Sequence, residues 1–361
     1  MPSRRPSGLL RRVVHPVFRK LETAVHPLRY LFLEVTQRCN LRCRHCGSDC
    51  GREARAGELS TDEWLRFLAY LPERFDRRQL VLVVTGGEPL ARPEFGRLTR
   101  AMRERGLAWG LVTNGWALTD RNVERLVADG VSSVTVSLDG MRESHDWLRG
   151  VPGSYDRALA GIRRLAAAGL PFFDVVTCAN PRNLPELPQV LETLRDAGVR
   201  DWRLFSIFPL GRAKGDPELL LADDGFRGLL DFIRSERARL RGDAFRLRFS
   251  CEAYLPRDLD AAVRDEPYFC RAGIDIASVL CDGSIGGCPN VPRTLVQGNV
   301  RTDDFATVWN DRFLPYRDRS WMRTGPCVSC REWKRCLGNS LHLWDDAAKR
   351  TAYCSFDRVR R

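Results

Sequence analysis

Six times between residues 31 and 240, an apolar β-branched run gives way to a turn and then to an amphipathic stretch. The runs lie at 31–36, 80–85, 108–113, 133–138, 172–177 and 202–208. The stretches of helical period lie near 60–71, 94–106, 119–129, 155–169, 185–197 and 223–240. A period near two and a period near 3.6 belong to different elements, so the alternation predicts strand, helix, strand throughout. Parallel strands need long crossovers, and the helices supply them in the right-handed sense. The chain is therefore predicted to be α/β, a partial (β/α)6 barrel of the TIM type. Helix starts are marked as such a fold requires: Ser60-Thr-Asp-Glu63 has the capping-box arrangement, and Thr119-Asp120 opens the third helix. Residues 1–30 read as a basic, helix-compatible lead-in and 31–240 as the barrel. After 250 the periodicity fades, and Gly, Cys, Pro and Trp mark a small cysteine-rich domain over 250–361.

In parallel β/α folds the active site forms at the C-terminal ends of the strands. Cys39-Asn-Leu-Arg-Cys43-Arg-His-Cys46 follows the first strand, and Gly86-Gly87-Glu88-Pro89 the second. Thr113-Asn114-Gly115 ends the third and Ser137-Leu-Asp139-Gly140 the fourth. Cys178 and Asn180 follow the fifth, and Pro209-Leu-Gly211-Arg212 the sixth. Chemistry-bearing residues thus converge on one face. An iron–sulfur cube normally takes four cysteines. A loop offering three leaves one iron open for a ligand from outside the protein, and an open coordination position is a site for chemistry.

No apolar run approaches the roughly eighteen residues of a membrane span, and no signal-peptide core follows the basic start. The expected location is the cytoplasm, where thirteen cysteines suggest metal ligation rather than disulfides. Most fall at metal-like intervals within 39–50 and 270–336, while Cys178 and Cys251 stand apart and read as small buried hydrophobes. The formal net charge is +12. Residues 1–30 carry seven Arg/Lys against the single acid Glu22, and residues 311–361 carry twelve against six acids. Such surfaces suit an acidic peptide, a polycarboxylate or nucleic acid, or are simply solvated. No aromatic-interleaved RNA-binding motif accompanies them, so no specific nucleic-acid partner is expected.

The CxxxCxxC loop and the Gly86–Pro89 segment resemble those of the radical S-adenosylmethionine (SAM) superfamily, and the likeness covers essentially residues 30–355. It implies that Cys39, Cys43 and Cys46 ligate a 4Fe–4S cluster whose fourth iron is chelated by the amino and carboxylate groups of SAM. His45 stands where that family usually places an aromatic residue near the adenine. Gly86 and Gly87 would let backbone carbonyls approach the SAM ammonium, with Glu88 as a charge-assisted acceptor. Ser137 and Asp139 resemble the ribose-contacting end of the fourth strand, although Asp-Gly is also a good turn. Asn114 and Arg149 are within reach of the SAM carboxylate on this reading, and a solvated Arg149 is its alternative. Cys50 is a poor fourth ligand, because the chemistry needs that iron open. An electron passed to the sulfonium would break the C5′–S bond, and the 5′-deoxyadenosyl radical would take a hydrogen atom from substrate, the cofactor performing the hard step. The reductant would be a flavodoxin or ferredoxin.

Cys270, twelve residues, Gly283, four residues, Cys288 fits the signature of the SPASM extension, in which cysteines hold auxiliary 4Fe–4S clusters. Cys327, Cys330, Cys336 and Cys354 resemble its second half and would make one fully ligated cluster. The family expects a further cysteine at position 340, which here is serine. A second cluster would then have Cys270 and Cys288 from the pattern, with Cys281 or His342 to complete it, or would be absent. Spacing alone leaves zinc open, since CxxC pairs also build tetrahedral sites.

Enzymes with this layout mostly modify ribosomally made peptides or small proteins, which is the leading expectation here. Maturation of a cofactor or tetrapyrrole is the runner-up, and a non-catalytic, zinc-stapled binding protein the remote third. A basic surface suits an acidic leader peptide and a propionate-bearing ring alike. The sequence names no acid/base residue.

Overall fold

The computed structural model describes residues 8–250 and 253–360, so the first seven residues of the basic lead-in, and Cys251, lie outside it. Strands β1 (Tyr30–Glu34), β2 (Val81–Thr85), β3 (Ala108–Thr113), β4 (Ser133–Ser137), β5 (Phe173–Ala179) and β6 (Asp201–Ser206) fall on the six predicted runs. They pair in chain order, and every pairing is parallel. Helix α1 (Gly8–Val25) precedes them, and α2 (Thr61–Arg74), α3 (Phe95–Glu104) and α4 (Asp120–Ala128) connect the first four. The capping box forms as read: Ser60 Oγ accepts from the Glu63 amide at 3.2 Å, and Glu63 Oε2 from the Ser60 amide at 2.7 Å. Thr119 Oγ1 caps α4 by accepting from the Asn122 amide at 3.3 Å.

Alternation along each strand decides what the two faces do. In β4, Val134 and Val136 are fully buried beneath the helices, while Ser133, Thr135 and Ser137 stay half-open. Leu82 and Val84 of β2, and Trp202 and Leu204 of β6, repeat the pattern. Each such buried aliphatic side chain contributes about 1.5–3 kcal/mol. The other face lines a lumen where polar side chains pair across strands. Thr135 Oγ1 donates to Asp174 Oδ1 at 2.6 Å, and Arg203 binds the other Asp174 oxygen. Arg248 donates to Asp201 Oδ1 at 3.0 Å.

Three elements differ from the six-unit expectation. Helix α5 (Arg142–Arg149) lies between β4 and α6 (Ser154–Ala167), where the sequence shows only a turn. Its N-terminus has no local cap; instead Glu186, in the 3-10 turn before α7 (Leu187–Asp196), accepts from the Met141 amide at 2.8 Å and from Ser144 Oγ at 2.6 Å. A cap supplied from so far along the chain leaves no local signal. After α8 (Asp223–Arg239), β7 (Arg246–Phe249) adds a seventh parallel strand beside β6, with four residues too short to show a period. Beyond the short helix α9 (Arg257–Val263), β8 (Ile276–Val279) pairs in parallel with the free edge of β1, and β9 (Ser284–Gly286) and β10 (Gly298–Asn299) extend it antiparallel. The cysteine-rich region is thus stitched into the barrel's own sheet.

Helix α1 contacts the far end of the chain. Arg19 donates to the carbonyl oxygens of Lys334 and Arg335, at the C-terminal end of the short helix Trp333–Cys336, where a cation meets the helix dipole favourably. Among the described residues no helix is long and apolar enough to cross a membrane.

Candidate active site

The loop after β1 closes on itself. The Cys39 amide donates to the Gly51 carbonyl at 2.6 Å, and the Gly51 amide to the Gln37 carbonyl at 3.3 Å. Inside it Cys39 and Cys43 are buried and Cys46 half-buried. Each sulfur meets N–H donors. Cys39 receives the Leu41 amide at 3.5 Å and Asn114 Nδ2 at 3.9 Å; Cys43 receives Arg149 at 3.7 Å; Cys46 receives the Cys50 amide at 3.4 Å. Hydrogen bonds to cysteine sulfur tune an iron–sulfur centre, so this donor set fits one.

Three neighbouring strand ends and helix ends grip the loop, each through a glycine. A Cβ on Gly87 would lie 2.4 Å from the Arg38 oxygen, and one on Gly86 2.3 Å from the Thr36 oxygen. The Gly87 and Glu88 amides bond to those same carbonyls at 2.7 and 2.9 Å. A Cβ on Gly150, after α5, would stand 2.4 Å from the Arg42 oxygen. On Gly211, after β6, it would stand 2.3 Å from the Cys46 oxygen. Arg212 completes the clasp, donating from Nε to the Cys43 carbonyl at 2.8 Å and from a terminal nitrogen to the Cys50 carbonyl at 2.9 Å. The glycines expected to admit a ligand are thus needed, first of all, to admit the cysteine loop.

Glu88 is fully buried, and both its oxygens accept from protein. Oε1 takes Thr113 Oγ1 at 2.8 Å and the Leu90 amide at 3.1 Å, and Oε2 takes the Asn114 amide at 2.8 Å. It ties β2 to β3, with two of these bonds made by Oε1 and one by Oε2. Asn114 bridges to the loop, donating from Nδ2 to Asn40 Oδ1 at 2.9 Å.

Asp139 and Arg149, read separately as ribose and carboxylate contacts, form one ion pair. Arg149 Nε donates to Asp139 Oδ2 at 2.6 Å, and the Cys178 amide occupies Oδ1 at 2.7 Å. Burial pushes the Asp139 carboxyl up, but the Arg149 guanidinium, with His45 and His145, holds it below the ordinary aspartate range. Arg149 is buried rather than solvated. Ser137 stands half-open at the lumen end of β4. Burial pushes the His45 ring down to about 4, so it is neutral at pH 7, and its buried Nδ1 has no partner. Asn40 Nδ2 is likewise buried and unpartnered, so two orphaned polar atoms flank the cysteines. The sequence shows Gly211-Arg212 as a polar strand end but not its clasp on the cysteine loop, and it gives no sign of α5.

In the C-terminal region burial, and then the neighbouring Cys354, Cys327 and Cys330, push the Cys336 thiol up to about 12. Its sulfur accepts the Asn339 amide at 3.2 Å, and Asn339 Nδ2 bonds to Ser355 at 2.9 Å, joining this segment to Cys354. Cys270 and Cys288 line one cavity of about 330 Å³ together with His342. Cys281 is elsewhere: its carbonyl accepts from the Leu59 amide at 2.6 Å, and its amide donates to Glu34 at 3.4 Å. Among the described residues no three His, Cys, Asp or Glu side chains are placed to share a single metal ion. A cube spreads its ligands over separate irons and does not ask that of them.

Residues 33–194 match the Radical SAM superfamily, and residues 270–337 an iron–sulfur cluster-binding domain. The AdoMet-dependent heme synthase of Methanosarcina barkeri is 31% identical over 348 residues, spanning 91% of this chain and 96% of its own. The chain belongs to the radical SAM superfamily. The PqqA peptide cyclase of Gluconobacter oxydans is 26% identical over 94% of this chain and 95% of its own. Among solved structures, that of Streptococcus suis SuiB bound to precursor peptide SuiA superposes with a TM-score of 0.69 at 16% identity, covering 99% of this chain and 82% of that one. This radical SAM protein is an enzyme with a partial TIM-like barrel and an iron–sulfur extension, and its cofactors are SAM, a 4Fe–4S cluster and auxiliary iron–sulfur. When bound, cluster and SAM supply a 5′-deoxyadenosyl radical that abstracts hydrogen from substrate.

Proposed function

We propose that this enzyme modifies a peptide or small protein through hydrogen abstraction. On this reading Cys39, Cys43 and Cys46 hold the SAM-binding cluster. Cys327, Cys330, Cys336 and Cys354 hold an auxiliary cluster, and a flavodoxin or ferredoxin supplies the electron. His45 and Ser137 face SAM, while Gly86, Gly87, Glu88, Asn114, Asp139 and Arg149 position the loop around it. The domain limits 31–240 and 250–361 describe the two parts by role, although β8–β10 share the barrel sheet.

The observation that carries the peptide reading is the lateral opening of the barrel. Strand β7 pairs only with β6, and β8 with β1 and β9, so the two are not joined. Between them lies the cavity of about 330 Å³, bounded by Arg248 and Phe249 on one side and Ile276 on the other. An extended chain can lie across such a seam while one side chain reaches the lumen, and an unpaired strand edge offers it backbone partners. The likeness to a PqqA peptide cyclase supports the same reading.

A second reading, a tetrapyrrole substrate, is favoured by the heme synthase likeness and by the lumen arginines. Arg203 and Arg248 border the cavity, and Arg248 Nε is buried without a partner, which suits a propionate. One experiment separates the two. The anaerobically reconstituted enzyme, with SAM and dithionite, is offered either a short peptide encoded beside its gene or a propionate-bearing tetrapyrrole. A mass change in the peptide, with 5′-deoxyadenosine formed, supports the first reading; turnover of the tetrapyrrole alone overturns it.

A further inference from the structure

We propose that His342, through Nε2, is a ligand of a second auxiliary cluster that Cys270 and Cys288 begin. The inference rests on the reading of this region as an iron–sulfur domain and adds to it a ligand that no cysteine pattern contains.

The cysteine expected at position 340 is Ser340, which is fully buried with its hydroxyl 3.0 Å from the Tyr268 hydroxyl. Cys281 is turned toward Glu34, away from the pair. Two thiols alone do not hold a cube, which ordinarily takes four protein ligands. The chain supplies another donor at the same place. The Leu341 amide donates to the Cys270 sulfur, so the turn Leu341–Leu343 is pressed against that cysteine. His342 is the next residue, and it lines the same cavity as Cys270 and Cys288.

His342 is only 7% exposed, yet its Nε2 is buried with no hydrogen-bond partner. Leaving such a donor or acceptor unmet costs roughly 1–3 kcal/mol, so an orphan in a packed region asks for an explanation. The ring is packed against Phe208, just after β6, with centroids 4.2 Å apart and the planes tilted by 31°. An imidazole packed in place, with a bare nitrogen and lining the same cavity as two thiols, is a candidate ligand, and imidazole replaces cysteine on iron in some iron–sulfur centres. Three ligands from the chain would leave one position for a ligand from the cavity side, which is also the substrate side.

The test uses the full chain, reconstituted anaerobically, and reads iron, acid-labile sulfide and nitrogen hyperfine coupling rather than turnover. Wild type is expected to hold about twelve irons, and the Cys39→Ala/Cys43→Ala/Cys46→Ala variant about eight. Adding His342→Ala to that variant is expected to leave about four irons, whereas His342→Cys keeps about eight but loses the nitrogen coupling. A triple-cysteine variant with about four irons and His342 intact overturns the inference while leaving the rest of the reading standing. So does an iron content and spectrum that His342→Ala does not change. A wild-type protein with zinc and no sulfide overturns both.

Discussion

The Arg149 guanidinium and the Asp139 carboxylate, both buried, meet at 2.6 Å, and Arg149 also reaches the Cys43 sulfur. One side chain thus links the end of β4 to the cysteine loop. Breaking a buried pair by removing one partner strands the other charge, at a cost of about 3–5 kcal/mol. Asp139→Asn is therefore expected to lower urea-unfolding stability by that order and to reduce iron retained at the loop. Arg149→Lys keeps the charge but loses the planar fork. An Asp139→Asn protein as stable as wild type, with full iron, would show that the pair is not what holds the loop.

Acid should destabilise the apoprotein, with the sign set by buried imidazoles. Burial, and then the nearby Arg149, push His145 down to about 4 from the ordinary value of about 6.5. Its Nδ1 accepts from the Asp139 amide at 2.9 Å, a role only the neutral ring can fill. The unfolded chain therefore takes up a proton first as pH falls. The contribution is complete above pH about 6.5 and lost toward pH about 4, on the order of 3 kcal/mol for one such group. Urea unfolding across this range should show stability falling with pH, and His145→Gln should flatten the slope while lowering the plateau. A slope unchanged by His145→Gln would assign the proton uptake elsewhere.

What the sequence could reveal followed the range of each signal. The six strand–helix units came through because periodicity and caps such as Ser60/Glu63 are written within a few residues. The Cys39, Cys43, Cys46 loop and the Gly86–Pro89 turn came through for the same reason. Helix α5 did not, because its cap is Glu186. The pairing of Asp139 with Arg149 did not, because each residue had a local explanation of its own, a turn or a solvated cation. Strand β8 was hidden for a topological reason: its partner β1 lies some 246 positions earlier, at Tyr30 against Ile276. His342 stood out only as one of several donors until its cavity and its bare nitrogen singled it out.

Glycine is demanded at Gly87 and Gly211 by backbone contact rather than by ligand approach. A Cβ at either meets a carbonyl oxygen of the cysteine loop at 2.4 or 2.3 Å, and a backbone atom cannot swing aside as a side chain can. Gly87→Ala and Gly211→Ala are therefore expected to displace the loop and to cut 5′-deoxyadenosine formation by about tenfold or more, equivalent to about 1.4 kcal/mol. Gly96→Ala is the matched control, since in the first turn of α3 its Cβ would meet only the ends of the Arg100 and Arg125 side chains, at 3.5 and 3.6 Å. If all three variants cleave SAM alike, the clasp is not required.

The two groups of cysteines should separate SAM cleavage from substrate turnover. Alanine at Cys39, Cys43 or Cys46 removes a ligand from the loop where SAM is expected to bind, so 5′-deoxyadenosine should vanish. Cys327 and Cys336 lie in another part of the chain, grouped with Cys330 and Cys354, and Cys336 is held by the Asn339 amide at 3.2 Å. Alanine at either should lower product formation far more than 5′-deoxyadenosine formation, measured together by mass spectrometry and liquid chromatography. The folding contribution must be read alongside, because Asn339 also accepts from the Tyr254 amide at 2.9 Å and binds Ser355. Cys336→Ser, close in size, keeps that packing while weakening ligation. Should Cys336→Ser turn over substrate as wild type does, the auxiliary centre is structural and the electron leaves the product by another route.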